Sequence, residues 1–164
     1  MRIKLTSLYL TDYAEDNKKK RYFLDQLKND ILIEKFVSKD IEEKFKKIEP
    51  YKNDNRLHIG PAYIVGDKSK LVGFIRPAYF DCNVLYLHYG VVPCYRNQGY
   101  GSKILTETSN YVFKHIEDVE KIILDISLMN TYSIKAAKNA GFKYDASIYE
   151  NDEMCDIKSY CKIR

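Results

Sequence analysis

The chain has 164 residues, 45% of them apolar and 30% charged, with a formal net charge of +4. A chain of this size buries roughly two thirds of the surface its unfolded form exposes, and the mixed composition excludes a disordered or fibrous protein. No uninterrupted apolar run approaches the ~18 residues of a membrane span, and the basic residues alternate with acids, which reads as a solvated mixed-charge surface rather than a nucleic-acid footprint.

The opening residues lack the charged head, apolar stretch and small-residue cleavage site of a secretory leader, so the expected compartment is cytoplasmic. Cys82, Cys94, Cys155 and Cys161 show no paired spacing, and His58, His88 and His115 lie far apart. Neither a disulfide framework nor a structural metal is expected. No repeat or composition break divides residues 1–164, which are expected to form one domain.

Residues 3–10 are apolar enough for a strand, after which Thr11 or Asp12 could cap a helix. From residue 22 to about 47, Phe23, Leu27 and Ile31, then Ile41, Phe45 and Ile48, recur at helical spacing, which predicts two helices with a break at 37–40. Residues 50–61 are polar and rich in breakers, a predicted loop. Apolar runs at 62–65 and 71–75 flank a hairpin signal at 66–70. A second reversal at Asp81, Cys82 and Asn83 leads into 84–92, a nearly unbroken apolar run suited to the middle of a sheet. Beyond Pro93 and a glycine turn, Ile104, Leu105, Thr108, Tyr111, Val112 and His115 form one helical stripe ending near Ile116. A strand over 121–128, a short helix over 130–140 closed by Gly141, and two strands around Asn151 and Asp152 complete the chain. This is a mixed α/β (α+β) layout in which one sheet is covered by helices.

The segment Arg96-Asn97-Gln98-Gly99-Tyr100-Gly101-Ser102 joins the apolar strand to a helix. First-turn N–H groups have no partner within a helix, the macrodipole adds positive potential, and glycine lets a phosphate approach the backbone. The same glycines would also serve a bare tight turn, and both readings stand at this level. A P-loop is excluded because the Gly-Lys-Ser/Thr ending is missing, and Ile104 replaces the third glycine of a dinucleotide fingerprint.

The run Val91-Val92-Pro93-Cys94-Tyr95-Arg96-Asn97-Gln98-Gly99-Tyr100-Gly101 resembles the segment in which the GNAT superfamily of N-acetyltransferases carries Val-x-Pro-x-Tyr-Arg followed by Arg/Gln-x-x-Gly-x-Gly/Ala. Asn130, Ser133, Ala136, Ala137 and the pair Gly141-Phe142 match that family's second block in order and at a natural distance. The two blocks cover about 85–144, and residues 24–45 look like the branch of ribosomal-protein N-terminal acetyltransferases. The resemblance implies a single mixed, mostly antiparallel sheet of about six to seven strands flanked by about four helices. It also implies that the pyrophosphate of acetyl-CoA rests on the backbone from Asn97 to Ser102, with Arg96 opening that turn, and that the pantetheine arm runs along Tyr89, Gly90 and Val91.

Pantetheine amides pair with a strand edge only if the strand parts from its neighbour, and Gly90 permits such a distortion. A backbone N–H near Val91 is the implied donor to the developing oxyanion. Asp125 stands five residues before Asn130, where family members place a glutamate base; the plain alternative is a solvated or salt-bridged acid. Asn130 is read as binding the coenzyme arm, capping its helix, or both, and Ser133 likewise. Cys94 has no local histidine partner and is read as structural or incidental, while His88 could face either the acceptor cleft or the core and is read as a satisfied core residue. One departure stands out: Ala137 occupies the position where many members carry a tyrosine acid, leaving Tyr132, Tyr144, Tyr149 or no acid at all for the leaving thiolate.

The expected activity is transfer of an acetyl group from acetyl-CoA to a primary amine of a peptide N-terminus, a lysine or a small molecule, without a metal. A catalytically silent acyl-CoA-binding module is the alternative. The acceptor carries no motif, nucleic-acid and membrane partners are not expected, and a homodimer is compatible with the sequence.

Overall fold

Residues 2–12, 17–28, 30–36, 62–148 and 156–164 are described by the structure, a computed structural model. Left-handed backbone marks the reversals that the sequence announces. Strands β3 (Tyr63–Asp67) and β4 (Lys70–Asp81) turn about Lys68, at φ 55°, and β5 (Val84–Val91) follows a two-residue reversal in which Cys82 and Asn83 take φ of 45° and 65°. Positive φ at both central residues is what a tight hairpin twisted like its strands requires. Pro77 is tolerated inside β4 because the register with β5 shifts there, between Pro77 and Tyr79.

The expected single strand over 3–10 is instead two, β1 (Arg2–Lys4) and β2 (Tyr9–Asp12), paired from Arg2↔Thr11 to Lys4↔Tyr9. A buried carboxylate makes the difference. Glu107 accepts hydrogen bonds from the backbone N–H groups of Ser7 (2.8 Å) and Leu8 (2.9 Å) and from the Ser7 hydroxyl, which fixes a reversal at 5–8. Thr11 and Asp12 therefore belong to a strand rather than to a helix cap.

Helix α1 (Asn17–Leu27) and helix α2 (Ile31–Phe36) are separated at 28–30, where Asp30 Oδ1 accepts from Ile33 N–H at 2.9 Å and caps α2. Ile31, expected on the buried stripe, is 77% exposed, and Ile33 is buried in its place. The expected break at 37–40, the helix near 41–48, the loop at 50–61 and the turn at 151–152 lie outside the described residues. Helix α3 (Tyr100–His115) ends at Ile116 as expected, β6 (Lys121–Ser127) follows, and α4 (Thr131–Asn139) ends before Gly141, at φ 85°. Strands β7 (Lys143–Tyr144) and β8 (Ile157–Ile163) close the sheet.

The eight strands among the described residues form one open sheet in the order β1-β2-β3-β4-β5-β6-β8-β7, in which β5 and β6 run parallel and the other pairs antiparallel. Each face buries a core. Val65, Val72, Leu85, Leu87, Ile122 and Leu124 pack with Ile104, Leu105 and Val112 of α3 and Ala137 of α4. Ile64, Phe74 and Val92 pack with Phe23, Leu24 and Leu27 of α1 and Ile33 of α2, Phe23 and Phe74 meeting edge to face at 5.7 Å. Fully burying one such apolar side chain contributes about 1.5–3 kcal/mol, enough to hold a polar helix such as α1 on the sheet. No helix among the described residues is long and apolar enough to cross a membrane.

Candidate active site

The sheet opens between β5 and β6, the one parallel pair among the described residues. β5 and β6 share the register Val84↔Lys121, Leu85↔Ile122 and Tyr86↔Ile123 and no further, although both strands continue. Toward β4, β5 stays paired to Gly73↔Val91, and Val92 N–H then donates to Val72 O at 3.0 Å. Successive residues of a strand turn their N–H and C=O groups to opposite edges. With Val92 aimed at β4, the backbone groups of Val91 and Tyr89 face the gap. Gly90 lies opposite Phe74, and a Cβ on it would fall 2.3 Å from the Phe74 ring. Any larger residue would push this stretch of strand away from its place.

The turn that follows presents donors to the same space. Asn97, at φ 59°, and Gly99, at φ 80°, take left-handed backbone, and Gly99 is the N-cap of α3 with no side-chain cap bond. The N–H groups of Tyr100, Gly101 and Ser102 lead the helix; the first backbone bond of its ladder is Lys103 N–H to Gly99 O at 3.1 Å. A Cβ on Gly99 would meet nothing within 4 Å, so the approach to these donors is open. Gly101 serves packing instead, since a Cβ there would stand 3.1 Å from Ala136 Cβ of α4.

A cleft of about 520 Å³ joins these parts. It is lined by Tyr89, Gly90, Val91, Arg96, Asn97, Gly99, Tyr100, Gly101, Ser102, Asn130 and Ser133, all named from sequence as coenzyme contacts. Gln98 is not among the lining residues; it is exposed and donates through Nε2 to Cys94 O at 3.0 Å. Asn130 caps α4, its Oδ1 accepting from Ser133 N–H at 3.1 Å, and still borders the cleft. Tyr89 Oη lies 2.8 Å from Ser133 Oγ, which ties β5 to α4 across the gap. Burial pushes the Tyr89 phenol up to about 12, against the opposing pull of the Ser133 hydrogen bond. It therefore stays protonated at neutral pH.

Asp125 is exposed and does not line this cleft. Its strand neighbours Leu124 and Ile126 point into the core under α3 and α4, so Asp125 sits on the opposite face, where Ser159 Oγ donates to its Oδ1 at 2.5 Å. His88 corrects an expectation: it is exposed rather than a core residue, paired in register with Arg76 of β4. Cys94 is exposed. Ala137 is fully buried. Tyr132 lines the cleft, Tyr144 is exposed on β7 outside it, and Tyr149 is not described.

Several contributors escaped the sequence reading. Leu32, Ile33 and Phe36 of α2 form one wall; Lys135 and Asn139 of α4 join Tyr132 and Ala136 in another, at a helical spacing that could have pointed to a shared face. Asp67 accepts from Tyr100 Oη at 3.1 Å and Lys103 Nζ at 3.3 Å. Asp30 binds both terminal nitrogens of Arg96, at 2.8 and 2.7 Å, while Arg96 Nε donates to Val91 O at 3.2 Å. Burial raises the Asp30 pKa, but hydrogen bonds from Arg96 and Ile33 outweigh it and leave the carboxyl below its ordinary value.

A sequence model of the acetyltransferase (GNAT) domain matches residues 8–143. Solved structures share the fold: an acetyltransferase of the GNAT family from Bacillus anthracis (TM-score 0.71, 21% identity, covering 99% of this chain and 98% of that one) is one example. A second is the Salmonella typhimurium acetyl transferase that modifies the N-terminal serine of ribosomal protein L7/L12 (0.75, 16%, 100% and 99%). A third is the Campylobacter jejuni N-acetyltransferase PseH in complex with acetyl coenzyme A (0.67, 15%, 96% and 99%). No curated protein sequence matches the chain. With the family match spanning most of its length, the chain belongs to the GNAT acetyltransferases, a family of N-acetyltransferase enzymes.

Proposed function

We propose that the chain uses acetyl-CoA to acetylate a primary amine by direct attack on the thioester. The observation that carries this reading is the meeting of a β5 edge that β6 leaves unpaired past Tyr86 with the uncapped start of α3 in one cleft. An amide-bearing arm ending in a diphosphate fits both: the strand edge accepts it as an added strand, and the N–H groups of the turn take the phosphates. When bound, the coenzyme supplies the activated acetyl group.

The chain's own residues then have separable tasks. The N–H of Val91, facing the gap, donates to the oxygen on which negative charge develops; a single donor of this kind contributes about 3–4 kcal/mol to transition-state stabilisation. Asp125, held by Ser159 on the opposite face of β6, accepts through water a proton from the substrate ammonium, so that the neutral amine can attack, a role worth about 10²–10⁴ in rate. The amine nitrogen bonds to the acetyl carbon, the C–S bond breaks with the sulfur leaving as a thiolate, and the second nitrogen proton passes to water or to that thiolate. A thiol with pKa near ~8.5 needs no obligatory acid, which agrees with the buried Ala137 in place of a tyrosine.

That same Ala137 favours the second reading, a module that binds acyl-CoA without turnover. Incubation with acetyl-CoA and a panel of N-terminal peptides, polyamines and amino sugars separates the two. Amine-dependent release of free CoA is expected, and coenzyme binding without release from any amine would overturn the enzymatic reading.

A further inference from the structure

The Arg96 side chain opens the phosphate turn, yet its hydrogen-bonding capacity is spent elsewhere. Nε holds Val91 O at 3.2 Å, and the two terminal nitrogens hold Asp30 at 2.8 and 2.7 Å, a two-pronged ion pair in which the side chains are only 24% and 14% exposed. To reach a phosphate, the guanidinium would have to abandon two charge-assisted bonds and its strand carbonyl. Asp30 is committed as well, because the oxygen that accepts from Arg96 Nη2 also accepts from Ile33 N–H and caps α2. One side chain thus joins the end of β5, the phosphate turn and the start of a helix whose Leu32, Ile33 and Phe36 line the cleft.

We infer that Asp30 and Arg96 form a latch that transmits the state of the phosphate turn to α2. Arg96 is then a positioning residue for the α2 wall and not a phosphate ligand. This rests on the acetyl-CoA reading of the cleft, with α2 as part of the acceptor wall. Settling of the turn around a diphosphate fixes Arg96, Arg96 fixes Asp30, and the carboxylate fixes the first turn of α2. Apolar residues at 32, 33 and 36 then present one surface to the acceptor.

The test compares the wild-type protein with Asp30→Asn, Arg96→Lys and the double variant. Asparagine keeps an acceptor for the α2 cap, so Asp30→Asn weakens the latch while sparing the cap; lysine keeps the charge but loses both the fork and the Nε bond to Val91 O. CoA affinity is measured by calorimetry, and amide exchange of residues 31–36 with and without CoA. In the wild type CoA slows that exchange; in the variants CoA binds within about threefold of wild type while exchange at 31–36 no longer responds. With an accepted amine, its KM rises about tenfold in Asp30→Asn while kcat stays within about threefold, and the double variant matches Arg96→Lys because the ion pair is already lost there. A loss of about tenfold or more in CoA affinity in Arg96→Lys but not in Asp30→Asn would make Arg96 a phosphate ligand and overturn the latch. So would an unchanged response of α2 in Asp30→Asn. Exchange and CoA affinity require no acceptor, so failure of turnover with every amine would sink the enzymatic reading and leave this test intact.

Discussion

Strand β6 has two neighbours and treats them differently. With β8 it pairs from Lys121↔Ile163 to Ser127↔Ile157, the whole of its length; with β5 it pairs only as far as Tyr86↔Ile123. The gap is therefore not the fraying of a weak strand. The residues of β6 past Ile123 are held by β8, and those of β5 past Tyr86 are held by β4. Only the shared edge opens, and polar groups that would close it are turned to other uses: Arg96 takes Val91 O, and Tyr89 and Ser133 take each other. Leaving a buried backbone group unpaired costs about 1–3 kcal/mol, so an open edge inside a well-paired sheet is a place where an amide-bearing ligand recovers what the fold gives up.

The largest expected effect comes from filling the open side. Gly90→Val places atoms within the Phe74 ring, and overpacking of this kind costs about 1–3 kcal/mol. Urea denaturation should show that loss together with the disappearance of measurable CoA binding, and pairing the change with Phe74→Leu should return part of the stability. The reversal between β1 and β2, remote from the gap, supplies the contrast. Burial raises the Glu107 pKa, but hydrogen bonds from the Ser7 hydroxyl and the Leu8 and Ser7 N–H groups outweigh it and leave the carboxyl below its ordinary 4.5. Its contribution is thus present above that value and lost as pH falls through the lower, folded one. Glu107→Gln should cost about 1–2 kcal/mol at pH 7, less at acid pH, with CoA affinity unaltered; a parallel loss of CoA binding would mean that the two regions are not separable.

Smaller effects sharpen the same contrast. Gly99→Ala puts a Cβ at φ 80° into open space, so a stability loss of about 1 kcal/mol should accompany CoA binding weakened about tenfold by the side chain at the phosphate approach. Tyr89→Phe removes one hydrogen bond, worth about 0.5–1.5 kcal/mol. Because the Tyr89 pKa is raised from 10.0 to about 12, its contribution is present below pH 10 and is lost as pH rises toward about 12. Wild-type stability should fall across that interval more steeply than that of the phenylalanine variant.

Signals that act over a few residues were legible in the sequence. The hairpins at 66–70 and 81–83, the glycine turn, the Asn130 cap and the Gly141 stop each announce themselves through turn or cap chemistry, and the matching blocks at 91–101 and 130–142 bring the cleft's parts together. What escaped depends on partners distant in the chain. Nothing near residues 3–10 reveals that Glu107, 100 residues from Ser7, will fold that stretch into two strands. Asp30 is not singled out by the sequence, because its pairing with Arg96 spans 66 residues. His88 misled for a different reason: the apolar run 84–92 reads as buried on both faces, whereas α1 and α2 cover the second face around Phe74 and Ile64 and leave His88 exposed.

The cation of the turn, Arg96, and the one just beyond it, Lys103, both answer to carboxylates, Asp30 and Asp67. Attraction for a diphosphate at this turn must then come chiefly from oriented amide dipoles at close range rather than from mobile side-chain charge. Screening by salt acts over a length of about 8 Å at physiological ionic strength and has little purchase on hydrogen bonds made at contact. Coenzyme affinity should accordingly change little between dilute and concentrated sodium chloride, so that the enzyme's saturation is insulated from the ionic conditions around it.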